Sequence, residues 1–491
     1  MLLAVVLAFS LGLLGGAAAR LPFWYDESLT VRLSRLRLPG ELWAALTAGF
    51  EFNPPLIYVA TKTARLLPGP ETLTARLPGL VGYLLLALSL FVFLRRRLGA
   101  WFAVSAVALL PLADYTVRYA IEARAYMLLL GVSGCSLAFW QRTADRSARF
   151  APLGLALTTA AVLLLHVWGI LLLLALAVGE GIEWVRTRRL RWRVVWAVAA
   201  AMPALALYPV LLRASKTVMF GGTAYAPATD KLLAAFRSDV PRPRVVAAAL
   251  VAALLAGWWE QRRRNASEPP EGSGLEPAEL GVMIALLCSP LVPYVYAVAA
   301  KGAFMTRYAM FALPAAVSLL GVLLHTLGQG GRIAGQAAAA VTVLGVLLYL
   351  PSKVPTSGSQ SAIVESLALT GARLDPTVPL VLVNPVDVTA FDEQADDAMR
   401  QRALFVADPD LALAYTQTNG IDLGYMRGEP YLDLRVRRLS YAALTSGYGR
   451  LYLVGKWQAL SWLPRKLQDD GWTVNEIGGT RQAPVFEARE R

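Results

Sequence analysis

Cysteine and histidine are almost absent from the 491-residue chain, at two of each. Cys135 and Cys288 lie inside apolar blocks, with no disulfide framework and no CxxC pattern, so both read as small core residues. With only His166 and His325, a histidine-rich metal centre is excluded, and any metal must rely on carboxylates. Charge is scarce too: 16% of residues are charged, against about 25% in average soluble domains. There is no GxGxxG, no P-loop and no internal repeat, which removes the usual nucleotide sites. What is abundant is apolar: 56% of residues, with a mean hydropathy of +0.49. These residues gather in blocks of roughly 17–22, long enough to cross hydrocarbon as helices. The chain is therefore neither an ordinary soluble enzyme nor disordered; it reads as a polytopic α-helical membrane protein. Its net charge of +13 would suggest nucleic acid on a soluble chain. Here it reads as cytoplasmic loops, and no nucleic-acid partner is expected.

Eleven spans are expected, over 2–19, 77–95, 99–115, 122–140, 150–165, 167–185, 194–212, 245–260, 278–299, 305–326 and 333–350. Basic clusters occupy every second connection: Arg95–Arg97, then Arg142, Arg146 and Arg149, then Arg186–Arg193, then Arg262–Arg264. The positive-inside rule makes those loops cytoplasmic. The amino terminus is then inside, and the first loop (20–76) and the tail after 351 are outside, in an inner-membrane protein. Ala17–Ala19 resembles a signal cleavage site, but without a basic n-region the first block reads as a retained helix. The chain divides into a membrane domain, 1–351, and an extracytoplasmic domain, 352–491. The tail alternates short apolar runs, at Pro379–Val383, Ala403–Ala407, Arg450–Val454 and Val485–Ala488, with helix-like segments. That pattern predicts a small α/β domain with a partly parallel sheet.

The residues with chemical potential stand in the outer loops. The first loop opens Trp24-Tyr25-Asp26-Glu27. Adjacent carboxylates at a membrane boundary are costly unless solvated, paired or useful. One reading is a helix start with Asp26 as N-cap and Glu27 on the dipole; the other is a general base or metal ligand. The same loop carries Asn53-Pro54-Pro55-Leu56, a stiff helix-opening turn. Loop three carries Arg118, Tyr119, Glu122, Arg124 and Tyr126, where the arginines fit a phosphate or snorkelling anchors. Lys301, Arg307 and Tyr308 form a similar outer cluster, and His166 faces the same side.

Taken together, Trp24-Tyr25-Asp26-Glu27, Asn53-Pro54-Pro55-Leu56, Tyr119…Glu122-Ala123-Arg124…Tyr126, His166…Gly169 and Thr306-Arg307-Tyr308 resemble the bacterial GT-C glycosyltransferases. The nearest branch is the family-39-like group related to protein O-mannosyltransferases and lipid A aminoarabinose transferases. The resemblance covers the spans, roughly three quarters of the chain. It implies a GT-C fold with about 11 transmembrane helices plus the extracytoplasmic α/β domain. It implies sugar transfer from a polyprenyl-phosphate-linked donor to an envelope glycan, lipid or protein acceptor, among membrane lipids. In that scheme Asp26 is the general base and Glu27 orients it, caps the helix or contacts sugar. Arg124 binds the departing phosphate with Arg118 or Arg307, and Tyr126 and Tyr308 line the donor pocket. Asn53, Tyr119, His166 and Lys301 complete the substrate-binding set. Glu122 holds Arg124 or joins Asp26 on a divalent Mg or Mn. One departure bears on that metal: relatives often carry histidine before the Pro-Pro-Leu, and Asn53 only hydrogen bonds. Residues 120 and 121, often Ser-Gln in relatives, are Ala and Ile. Two other classes are open at this point, a transporter or flippase of lipid-linked envelope precursors and a non-catalytic envelope scaffold. A transporter predicts ionisable residues near the bilayer midplane, whereas these charges gather in loops.

Overall fold

A computed structural model describes residues 1–49, 51–214, 218, 225–263, 272–300, 302–356, 362–371 and 374–491. Each of the eleven expected spans falls on helix. By length and composition, six described helices are long and apolar enough to cross a membrane: Leu2–Arg20, Glu71–Leu98, Val167–Thr187, Trp192–Arg213, Pro243–Arg263 and Arg332–Lys353. The number rises to eight when two bent pairs are counted: Ala100–Leu112 with Asp114–Ala120, at 69°, and Pro277–Cys288 with Leu291–Ala299, at 42°. By length and composition, then, six to eight of the eleven expected spans qualify among the described residues. The breaks fall at Ala113, which is extended and follows the tightened turn Leu110–Leu112 with Pro111, and at Ser289-Pro290, where proline removes a helical donor. The remaining expected spans are Ala125–Arg142, Ala151–Leu165 and Ala312–Leu327. A 15-residue helix rises about 22 Å, short of a hydrocarbon core of about 30 Å. Large apolar side chains point outward from the spans, among them Leu157, Leu255 and Leu348, the surface expected against lipid.

The first loop is not a simple connector. After α1 (Leu2–Arg20) it folds into α2 (Tyr25–Arg35), α3 (Gly40–Ala48) and α4 (Leu56–Ala64), which cap one end of the bundle. It closes earlier than expected, because α5 (Glu71–Leu98) starts at Glu71. At 28 residues, α5 rises about 42 Å and overshoots the hydrocarbon, so its first turns reach the loop helices. Next come α6 (Ala100–Ala108), α7 (Asp114–Ala120) and α8 (Ala125–Arg142). The crossing of α5 and α8 requires glycine: a Cβ on Gly131 would lie 2.3 Å from the Gly82 carbonyl oxygen, and one on Gly82 would lie 2.4 Å from the Met127 backbone. Backbones that close are the small-residue packing of membrane helices. The crossing fixes the turn 121–124 over the bundle end.

The tail forms a six-stranded sheet in the order β3-β2-β1-β4-β6-β5, from β1 (Leu380–Leu382), β2 (Ala403–Val406), β3 (Arg437–Leu439), β4 (Arg450–Val454), β5 (Thr473–Gly479) and β6 (Pro484–Arg489). The first four strands in that order pair in parallel, and β6 pairs antiparallel with both β4 and β5. Two strands escape the apolar-run reading, β3 and β5, because both are half exposed and rich in charge or glycine. The chain leaves β1 toward β2 and β3, then returns to place β4 on the other side of β1. Strand order therefore reverses between β1 and β4, the place where open α/β sheets bind ligands beyond their carboxyl ends.

Candidate active site

The carboxylate pair of the first loop splits into two roles. Trp24, not Asp26, is the N-cap of α2. Glu27 is the third helical residue and accepts from the Trp24 N–H at 3.3 Å, the reach-back half of a capping box. Its carboxylate also accepts from Arg76 Nε at 2.7 Å, from Arg76 Nη2 at 2.8 Å and from the Ala123 N–H at 2.7 Å. Arg76 donates in turn to the Ala18 and Leu21 carbonyls, at 2.8 and 2.6 Å. Glu27 is 1% exposed and stands behind the site, tying α1, α2, α5 and the turn before α8 together. Of the roles expected of it, the geometry shows the cap.

Asp26 points the other way, into a cavity of about 410 Å³ between the bundle end and the α/β domain. Its Oδ2 accepts from Arg307 Nη1 at 2.8 Å. Asn53, Arg124, Tyr126, His166, Arg307 and Tyr308 line the same cavity. Arg124 is buried, and through Nη1 it donates to the Asp26 carbonyl, Thr30 Oγ1 and Glu51 Oε2, each at 3.1 Å. Glu51 is the residue that motif reading passes over. It sits two before Asn53, whose Nδ2 donates to Glu51 Oε1 at 3.0 Å. Asn53 therefore holds a carboxylate that holds Arg124. The Tyr126 ring lies between the two arginines, 5.9 Å from Arg124 and 5.8 Å from Arg307.

His166 interrupts two helices, and its Nδ1 accepts from the Trp168 N–H at 3.1 Å. The ring proton of the neutral form is then on Nε2. Burial, with the charges of Arg124 and Arg307, pushes His166 down to about 3, so the ring stays neutral and acts as a donor. Burial pushes the Tyr308 hydroxyl up to about 12; its ring lies tilted against Trp168, with centroids 5.4 Å apart.

Arg118, Tyr119 and Glu122 do not line the cavity. Arg118 donates from Nε to Glu122 Oε1 at 2.9 Å and lies over the Trp24 and Tyr119 rings, at 5.7 and 5.5 Å. These three form a layer behind Trp24. Glu122 holds Arg118 rather than Arg124; burial, with Glu27 and Asp26 nearby, outweighs Arg118 and pushes it up to about 7. Lys301 lies outside the described residues.

The donor set does not fit a divalent cation. No group of three or more His, Cys, Asp or Glu side chains comes together among the described residues. Asp26 and Glu122 are each engaged by a guanidinium. The α/β domain supplies the far wall of the cavity through Val386, Gly420, Ile421 and Leu460; no motif in the sequence signals this.

No protein-family model matches the chain, and no curated protein matches it. Solved structures do. The apo structure of ArnT from Cupriavidus metallidurans superposes with a TM-score of 0.60 at 14% identity, over 99% of this chain and 97% of that one. ArnT of the same organism bound to undecaprenyl phosphate gives 0.57 at 14% identity, with the same coverage. The chain thus has an ArnT-like GT-C fold along nearly its whole length.

Proposed function

We propose that this integral membrane protein is a glycosyltransferase that moves a sugar from a polyprenyl-phosphate-linked donor to an acceptor hydroxyl. The observation that carries the reading is the convergence of Asp26, Arg124 and Arg307 on one cavity at the end of an apolar bundle. Support comes from the fold, shared with ArnT, one structure of which holds undecaprenyl phosphate. A lipid tail needs apolar walls, its phosphate needs guanidiniums, and the acceptor needs a base at the same place. Among the described residues, ionisable side chains lie toward the ends of the apolar helices rather than midway along them, which favours chemistry over transport.

In the proposed step the acceptor oxygen attacks the anomeric carbon as the bond from that carbon to the phosphate oxygen breaks. The proton passes to Asp26 Oδ1, since Oδ2 is engaged by Arg307. Polyprenyl phosphate leaves with increased negative charge, which Arg124 and Arg307 receive; charge-assisted bonds of this kind are the strong ones. A single displacement inverts the anomeric configuration, for a hexosyl or pentosyl unit alike. His166 offers Nε2–H to a sugar or phosphate oxygen. No step is routed through a metal. The enzyme is placed in the cytoplasmic membrane, with the amino terminus inside and the cavity and α/β domain outside. Acceptors of this class are an envelope glycan, lipid or protein.

Asp26→Asn keeps the hydrogen bond from Arg307 and removes the base. Transfer from a polyprenyl-phosphate sugar in membranes is expected to fall by about 10²–10⁴, with undecaprenyl phosphate still bound. Near-normal transfer by the variant removes Asp26 as the base.

A further inference from the structure

We infer that the amino terminus of the helix Gly420–Leu432, in the α/β domain, forms part of the phosphate site of this cavity, together with Arg124 and Arg307. The inference rests on the proposed lipid-phosphate donor and adds a binding element from the other domain.

Charge balance is the first argument. Among the described residues, the charged groups lining the cavity are two guanidiniums and two carboxylates, paired as Arg124 with Glu51 at 3.1 Å and Arg307 with Asp26 at 2.8 Å. His166 adds no charge. The charges of the described lining therefore balance, while the ligand brings one negative charge as a diester and up to about two as the monoester product. Further positive potential favours such a ligand. Gly420 and Ile421 line the cavity and begin a 13-residue helix, whose first N–H groups have no partner within the helix. Asn419, the N-cap, makes no side-chain cap bond, and among the described residues nothing accepts from the Gly420 or Ile421 N–H. The acidic residue of the first turn, Asp422, is turned away. Its Oδ1 accepts from the Asp408 N–H at 3.0 Å and from Trp462 Nε1 at 3.2 Å.

The second argument is the unused capacity of the arginines. Arg124 is 5% exposed, yet its bonds all run through Nη1, leaving the buried Nε without a partner. Arg307 likewise bonds Asp26 through Nη1, with Nε buried and unpartnered. Buried guanidinium donors left open on a cavity that helix N–H groups also line call for an anion.

The third argument is that this placement is held. Helix α2 and the helix Gly420–Leu432 lie side by side, with the Tyr25 and Tyr425 rings 6.0 Å apart. Arg32 of α2 donates to the carbonyls of Leu432, at 2.5 Å, and Asp433, at 3.0 Å, at the far end of the second helix. Both helices therefore present their amino ends to the cavity. Val386 and Leu460, beyond the carboxyl ends of β1 and β4, stand beside them, so this wall is the switch-point edge of the sheet.

The test is binding of undecaprenyl phosphate, with neutral undecaprenol as comparison, to the full-length protein in nanodiscs. Gly420→Asp is expected to weaken undecaprenyl phosphate binding by about tenfold or more, from a like charge within roughly 6 Å at an effective dielectric near 20, and to leave undecaprenol binding unchanged. Gly420→Asn is expected to bind as the parent does. A purely structural role predicts the reverse sign, because Asp in a first turn favours the helix. Asn419→Asp, isosteric at the cap, is the second variant, with the same expected weakening. Unchanged undecaprenyl phosphate affinity in folded Gly420→Asp or Asn419→Asp overturns the inference and leaves the donor class standing. A parent protein that binds no undecaprenyl phosphate overturns the donor class, and the inference with it.

Discussion

At the scale of single residues, two adjacent carboxylates do different work because a helix turns them about 100° apart. Asp26 meets the cavity and Glu27 meets Arg76. Asp26, Arg124 and Arg307 were legible as chemistry-bearing residues because charge at a membrane boundary is costly unless used. Glu51 and Arg76 were not, since each looks like an ordinary loop or helix-start charge until its partner is placed. Breaking a buried ion pair leaves an uncompensated charge and costs about 3–5 kcal/mol. Glu27→Gln is therefore expected to lower the thermal midpoint in detergent markedly, while the protein that remains folded keeps most of its turnover. A folded Glu27→Gln protein as inactive as Asp26→Asn would show that Glu27 takes part in the reaction itself.

At the scale of elements, α2 is the coupling piece. Its amino end carries Asp26, and its middle carries Arg32, whose Nη2 also donates to Asp392 Oδ2 at 2.8 Å. Arg32→Met is expected to speed amide exchange along Gly420–Leu432 and to reduce donor binding; exchange unchanged from the parent would mean that apolar contacts alone seat that helix. The same helix predicts a pH dependence. Burial pushes Asp422 up to about 7, against about 3.9 for an unperturbed aspartate. The folded state then holds a proton that the unfolded chain releases, so this contribution to stability is full below about pH 4 and is lost as pH rises through about 7. Asp422→Asn keeps an oxygen for the Asp408 and Trp462 donors and is expected to flatten the fall in melting midpoint between about pH 4 and 7. A fall as steep as the parent's assigns it to other groups, such as Glu122.

At the scale of the whole molecule, the protein is an apolar bundle whose working end is closed by a separate sheet domain. The proposed orientation is checked by carboxy-terminal reporter fusions: an alkaline phosphatase fused after Arg491 is expected to be active and a fluorescent protein dark, and the opposite result reverses the topology. The sequence by itself determined the membrane class, the helical blocks, the small α/β tail and most of the charged residues at the site. Those follow from composition, hydropathy and local motif, which act over a few turns of chain. Only the tertiary structure decided which blocks are broken, since proline and the packing around it set the bend. It alone separated Asp26 from Glu27, moved Arg118 and Glu122 behind Trp24, and brought Gly420 and Ile421 to the cavity. Those outcomes depend on pairings across tens to hundreds of residues, such as Arg307 with Asp26 and Arg32 with Leu432, and no local pattern encodes a partner at that separation.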